Sequence, residues 1–272
     1  MIHFLMFLQA KGLPACIYPG LQIKRSLGMQ RGKSDKVDTR RISYYGFLIR
    51  HKLTPTELPA QNIARLKQLF GVRALLVKHR TALKNNLHAQ KIASKLTESK
   101  FVVDMLKAEI KHKDELIAKA EKEMKNIITS CLSLKANYNL LLSVSGVGPV
   151  IATLLIIYTN NFESFQDARQ FMCYTGVAPF DHGSGTFKAK SKVSELGNRK
   201  VKTLLLSGVR SAIQYNAEIR SYYERKIAQG KSPGQAANAA VGKMILQVFA
   251  VIKRRTPFVV LYSDNFAKKS VA

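Results

Sequence analysis

Between Pro59 and Pro149 the chain has no proline, and residues 57–135 hold a single glycine, Gly71. A stretch of that length with no helix breaker can hardly be other than long helices. In its second half Val103, Leu106, Ile110, Ile117, Ala120, Met124 and Ile127 recur at alternating spacings of three and four. Lys113 is the one polar residue on that seam, an a/d heptad pattern of about three and a half heptads. The first half carries a looser stripe of Leu66, Leu69, Leu76, Leu83 and Leu87. Two long helices joined near residues 94–99 would form an antiparallel hairpin. Its apolar seam would be covered either by a second copy, as a dimeric coiled coil, or by the chain's own core; the periodicity sets the pattern and leaves the partner open.

The flanks differ from this middle. Residues 1–56 mix short apolar runs with Gly and Pro, and hold Asp35 and Asp38 as their only acids. Residues 2–8 read as a helix, residues 15–18 as a short buried strand closed by Pro19-Gly20. Residues 138–262 open on a glycine turn, continue as an apolar helix and a polar Gly/Ser/Lys loop, and end in two or three further helices; residues 263–272 read as a tail. The fold expected is mainly α with a partial α/β piece, in segments 1–56, 57–137 and 138–262.

Charge narrows the function classes. Lys and Arg number 44 against 17 Asp and Glu, a formal net charge of +27. That imbalance argues against an ordinary metabolic enzyme and for a polyanionic partner, nucleic acid first and an anionic membrane surface second. No uninterrupted apolar run reaches the roughly 18–20 residues of a spanning helix, so no membrane partner is expected. Residues 1–8 lack the basic start and small-residue cleavage site of a signal peptide. Three scattered cysteines (Cys16, Cys131, Cys173) exclude a disulfide framework and a cysteine zinc site, and fit a reducing cytoplasm.

Three local patterns carry chemistry. In Ser145-Gly146-Val147-Gly148-Pro149, Gly146 and Gly148 permit a tight turn at a helix N-terminus. Such a turn can present backbone N–H groups to a sugar-phosphate backbone, or can simply join two helices. In Gly183-Ser184-Gly185, the Ser184 hydroxyl has no bulky neighbours in sequence. Lys188, Lys190, Lys192, Arg199, Lys200, Lys202 and Arg210 follow, cations able to stabilise charge developing on phosphorus. The plain alternative is a solvated loop in a basic surface, with Ser191 and Ser194 as rival serines. In Lys33-Ser34-Asp35-Lys36-Val37-Asp38 two carboxylates three apart share one helical face. With further acids they could hold a divalent metal; alone, they read as a helix start.

Together these segments resemble the insertion sequence 110/116/902 family of DNA transposases. The resemblance rests on Tyr18-Pro19, residues 32–38, the long helical insert, residues 145–149, Thr175-Gly176-Val177-Ala178-Pro179, Gly183-Ser184-Gly185, residues 193–198 and Leu204-Leu205-Leu206. It implies an RNase H-like domain with four acidic residues, a coiled-coil insert, and a C-terminal transposase domain with helix-hairpin-helix character. It also implies strand cleavage and rejoining through a phosphoserine link at Ser184, with Ser194 as second choice, and Mg²⁺ held in part by Asp35 and Asp38. DNA would be gripped by Gly146, Gly148, Lys188, Lys190, Lys192 and Arg199. DNA, a structured guide RNA and further copies of the chain would be its partners, in the prokaryotic cytoplasm at the nucleoid. The family's opening strand with Gly-Ile-Asp and its later glutamate are not found here. An N-terminally truncated reading frame is therefore expected, binding without turnover as it stands. The alternatives are a non-catalytic nucleic-acid-binding remnant and a junction-specific nuclease.

Overall fold

The computed structural model describes residues 2–259 apart from 29–31, 33, 57, 98–99, 185–186 and 195; the side chains of 2–3, 96–97, 181–184 and 187–192 also lie outside the described set. The chain divides into two compact units, residues 1–60 and 61–272.

The first unit is helical: α1 (Ile2–Ala10), α2 (Gly20–Ser26) and α3 (Asp35–Leu48). Helix α3 starts at Ser34, whose hydroxyl accepts a hydrogen bond from the Val37 amide at 3.3 Å. Tyr45 on α3 is buried, its ring edge-on to Tyr18 at 5.7 Å and its hydroxyl bonded by Gln22 of α2 at 3.0 Å. The strand expected at residues 15–18 does not form. Cys16 and Ile17 are exposed, and the segment exchanges two hydrogen bonds with Thr56, too few for a ladder. Phe4, Phe7, Ile42 and Phe47 keep much of their apolar surface exposed.

The second unit begins with the expected helical hairpin, α4 (Gln61–Thr97) and α5 (Phe101–Ser130). Three ion pairs fix the antiparallel register: Arg65–Glu123, Arg73–Glu121 and Arg80–Asp114. The heptad residues Val103, Ile110, Ile117, Ala120, Met124 and Ile127 are buried. Because α4 covers this seam within one chain, a second copy is not needed to do so. Replacing both Ile110 and Ile117 with Asp would bury two charges without partners. A loss of about 2–5 kcal/mol, read as a drop in the thermal midpoint, is the expected result.

Beyond the hairpin come α6 (Leu132–Leu142), α7 (Pro149–Thr159), α8 (Ala168–Thr175), the antiparallel strands β1 (Pro179–Ser184) and β2 (Phe187–Val193), then α9 (Arg199–Tyr215), α10 (Ala217–Ala228) and α11 (Pro233–Arg254). The polar loop expected near Ser184 is thus a two-stranded hairpin. The apolar α7 is the core element, with Ala152, Leu154, Leu155 and Ile156 almost fully buried. One continuous core joins α7 to α9 and α11, and takes in Ile63, Leu66 and Phe70 of α4 and Met124, Ile127 and Ile128 of α5. The sequence boundary near 137 therefore runs through packed side chains. Helix α11 is long and apolar enough to cross a membrane by length and composition, although no uninterrupted apolar run predicted this. Its Ala240, Val241, Met244, Ile245 and Val248 are buried in this core.

Candidate nucleic-acid interface

The glycine turn joins α6 to α7 and is shaped first by packing. Gly146 has φ +85°, and a Cβ there would stand 2.6 Å from the carbonyl oxygen of Gly208 and 2.9 Å from Cβ of Ala212, both on α9. Gly208 in turn faces Gly146 and Ile151, leaving no room for a side chain. Asn216, which caps α10 through the Ile219 amide, also donates to the Ser145 hydroxyl at 2.7 Å. This turn is therefore clamped against α9 and the start of α10. Gly148 differs: it is exposed, it is the N-cap of α7, and a Cβ there would meet nothing within 4 Å. Of the two glycines proposed to grip a backbone, Gly148 is the accessible one.

The β-hairpin carrying Ser184 is pinned at its base. Helix α8 ends on Gly176 in the left-handed conformation, φ +68°. A Cβ on Gly197 would collide with the backbone of Gly176, so these glycines touch main chain to main chain. The Asn198 amide donates to the Tyr174 carbonyl at 2.8 Å, and the Asn198 side chain both donates to the Tyr174 hydroxyl and caps α9. Lys202 reaches across to the Gly176 carbonyl at 2.8 Å; its partial burial holds its pKa below the ordinary lysine range. The strand ends Pro179 and Val193 pair directly above this knot.

Ser184 ends β1, paired with Phe187 at the turn. Lys188, Lys190 and Lys192 occupy alternate positions of β2. For all four the backbone position is given and the side chains lie outside the described residues. Arg199 is exposed at the first turn of α9. Ser194 follows β2, half-buried, its hydroxyl accepting from the Leu196 amide at 3.2 Å. Neighbouring Glu195 lies outside the described residues.

Asp35 and Asp38 stand in the first turn of α3, where negative charge complements the helix end. Asp38 is committed to Arg41 at 3.1 Å, and Arg41 also donates to the Gly32 carbonyl. Among the described residues no group of three or more His, Cys, Asp or Glu comes together. Two carboxylates, one paired with a guanidinium, fall short of a Mg²⁺ donor set, and the described residues do not by themselves fit the ion.

Residues 138–224 match a family model described as "Transposase IS116/IS110/IS902 family", and residues 2–90 match a second described as "Transposase", of the IS110 DEDD type. The chain is similar to a "Pilin gene-inverting protein" of Moraxella lacunata, 24% identical over 238 residues, 86% of this chain and 70% of that one. It is similar to a "Probable family 20 transposase" of Pseudomonas aeruginosa, 25% identical over 154 residues, 56% of this chain and 44% of that protein. A "Transposase for insertion sequence element IS1111A" of Coxiella burnetii is 23% identical over 223 residues, covering 71% and 60%. The matched stretch is thus less than half of the Pseudomonas protein and under two thirds of the Coxiella one.

Proposed function

Because the chain belongs to the IS116/IS110/IS902 transposase family, we propose that residues 61–272 act on DNA with Ser184 as the nucleophile of strand cleavage and rejoining. The observation that carries this reading is the hairpin knot: Gly176 against Gly197, tied by Asn198 and Lys202, holds the ends of the strands whose turn bears Ser184. A serine on a pinned hairpin followed by Lys188, Lys190, Lys192 and Arg199 suits attack on a phosphodiester. The Ser184 Oγ–P bond forms as the bond to the leaving sugar oxygen breaks. The serine gives up its proton and the leaving oxygen takes one, so the step is balanced and reversible by the same route. The neighbouring cations offset charge on the phosphoryl oxygens. Residues 1–56 read as part of an RNase H-like domain, and the turn at 143–148 as a helix-hairpin-helix that meets the backbone at Gly148. A structured guide RNA and further copies of the chain belong to the same proposal. With the α5 seam already covered by α4, self-association would use another face.

A second reading, a non-catalytic nucleic-acid-binding protein, is favoured by one observation: among the described residues no third acid joins Asp35 and Asp38. A nicked duplex spanning an end of the mobile element separates the two. It is tested on the chain and on a form extended by any in-frame acid-bearing segment encoded upstream of Met1. A protein–DNA adduct that survives detergent, is lost in Ser184→Ala and persists in Ser194→Ala is the expected result. Loss in Ser194→Ala alone moves the nucleophile, and no adduct in either form leaves the binding reading.

Binding itself should be steeply salt-dependent. Each phosphate contact lowers log K by about 0.9 per decade of salt on duplex DNA. Removing Arg199 with alanine should flatten the slope by about one contact in a fluorescence titration.

A further inference from the structure

An open cleft of about 1360 Å³ is walled by the end of α8, by the strand ends Pro179 and Val193 at the base of the β-hairpin, and by α9, α10 and α11. Its apolar lining includes Met172, Val177, Leu206 and Leu246. Lys202, Arg225, Lys226, Lys231 and Lys243 also line it, and among the described residues no acidic one does. The cations crowd together. Arg225, Lys226 and Lys243 stand 5.3, 5.4 and 5.1 Å from the centre of the Tyr222 ring. Of these, Lys243 has a carboxylate, Glu218 at 2.6 Å, just outside the lining. Lys226 is bonded to the neutral Gln229 and Lys202 to a neutral carbonyl. Like charges held this close raise one another's energy, and an anion brought among them relieves it.

A second, independent feature points to the same cleft. Asn238 lines it and donates through Nδ2 to the Val177 carbonyl at 2.9 Å, while its Oδ1 is buried without a hydrogen-bond partner. A buried acceptor left unpaired costs free energy that a donor on a ligand would recover. The occupant must then join an anion, a flat apolar body and an N–H donor. A nucleobase on its sugar-phosphate has all three. The cleft exceeds the roughly 300–1,000 Å³ usual for a closed small-molecule site, which leaves room for the strand to enter and leave.

We infer that this cleft holds an unpaired nucleotide of a nucleic-acid strand. Its base lies on the Met172, Val177, Leu206 and Leu246 lining with an N–H to Asn238 Oδ1, and its phosphates lie on Lys202, Lys226 and Lys231. The site needs no cleavage chemistry, so it stands or falls apart from Ser184.

The test uses the full chain and fluorescence anisotropy with labelled eight-residue probes: oligo-dT, oligo-rU, an abasic strand of equal charge, and an eight-base-pair duplex. At least one unpaired strand should bind ten-fold or more tighter than the abasic one, and the stronger of dT and rU identifies the source as DNA or RNA. Ala239→Phe fills the cleft without changing charge, and should bring the base-bearing strand to the abasic level while leaving the duplex within two-fold. Leu246→Glu changes a residue that is 56% exposed and so tolerates substitution, and it should weaken the unpaired strand ten-fold or more. Equal binding of abasic and base-bearing strands by the wild type overturns the inference. So does an unchanged affinity in Leu246→Glu, or poly-glutamate of equal charge displacing the strands as well as oligo-dT does, which would assign the cleft to an acidic peptide.

Discussion

Replacing Gly208 with valine should lower the thermal midpoint of residues 61–272 by about 6–12 °C, the equivalent of about 3 kcal/mol for a unit of this size. A β-carbon at 208 meets the Gly146 carbonyl oxygen, and stands 2.5 Å from Cδ1 of Ile151. Neither neighbour can yield cheaply. The Gly146 backbone is already in a conformation that side chains resist, and Ile151 belongs to the central α7. The substitution must therefore push α9 away from the turn between α6 and α7, opening the core that the turn seals. Scanning calorimetry beside the wild type checks the value. A midpoint within 2 °C would mean that the two glycines do not pack as closely as described.

Gly197→Ala should act differently. Its new methyl group would press on the Gly176 backbone and spread the base of the β-hairpin, leaving the main core untouched. An error of about 1 Å in placing a reacting group can cost about a hundred-fold in rate. The Ser184 adduct should therefore form ten- to a hundred-fold more slowly, with helical circular dichroism and thermal midpoint close to wild type. Duplex affinity should hold within a few-fold, since Arg199 and Gly148 stand outside the knot. A matching fall in midpoint and adduct rate would instead make the knot a general support of the fold.

How much of this was legible beforehand depended on how local its cause is. The α4–α5 hairpin follows from a heptad repeat and the absence of breakers, and Asp35 and Asp38 stand at a helix start because Ser34 can cap one. Gly146 misleads for the opposite reason. Its local pattern suggests a phosphate grip, but the residue that most limits it is Gly208, some sixty positions on. The strands at 179–193 are hard to read from sequence because Gly and Ser at the turn mask an alternation of Lys188, Lys190 and Lys192 with Ala189, Ser191 and Val193. The cleft had no signature at all. Its lining is drawn from positions scattered between 172 and 246, each unremarkable alone.

The hairpin of α4 and α5 also has a mechanical side. Helix α4 is anchored in the core as far as Phe70 and runs on to Thr97, about 40 Å of further rise. That is about the length of twelve base pairs of duplex. Among the described residues, the ion pairs that tie the two helices run from Arg65–Glu123 out to Arg80–Asp114. The hairpin is thus a boom rooted in the core. A swing of 10° at the root would carry its far end, with the exposed Phe101, Val102 and Met105, through about 7 Å.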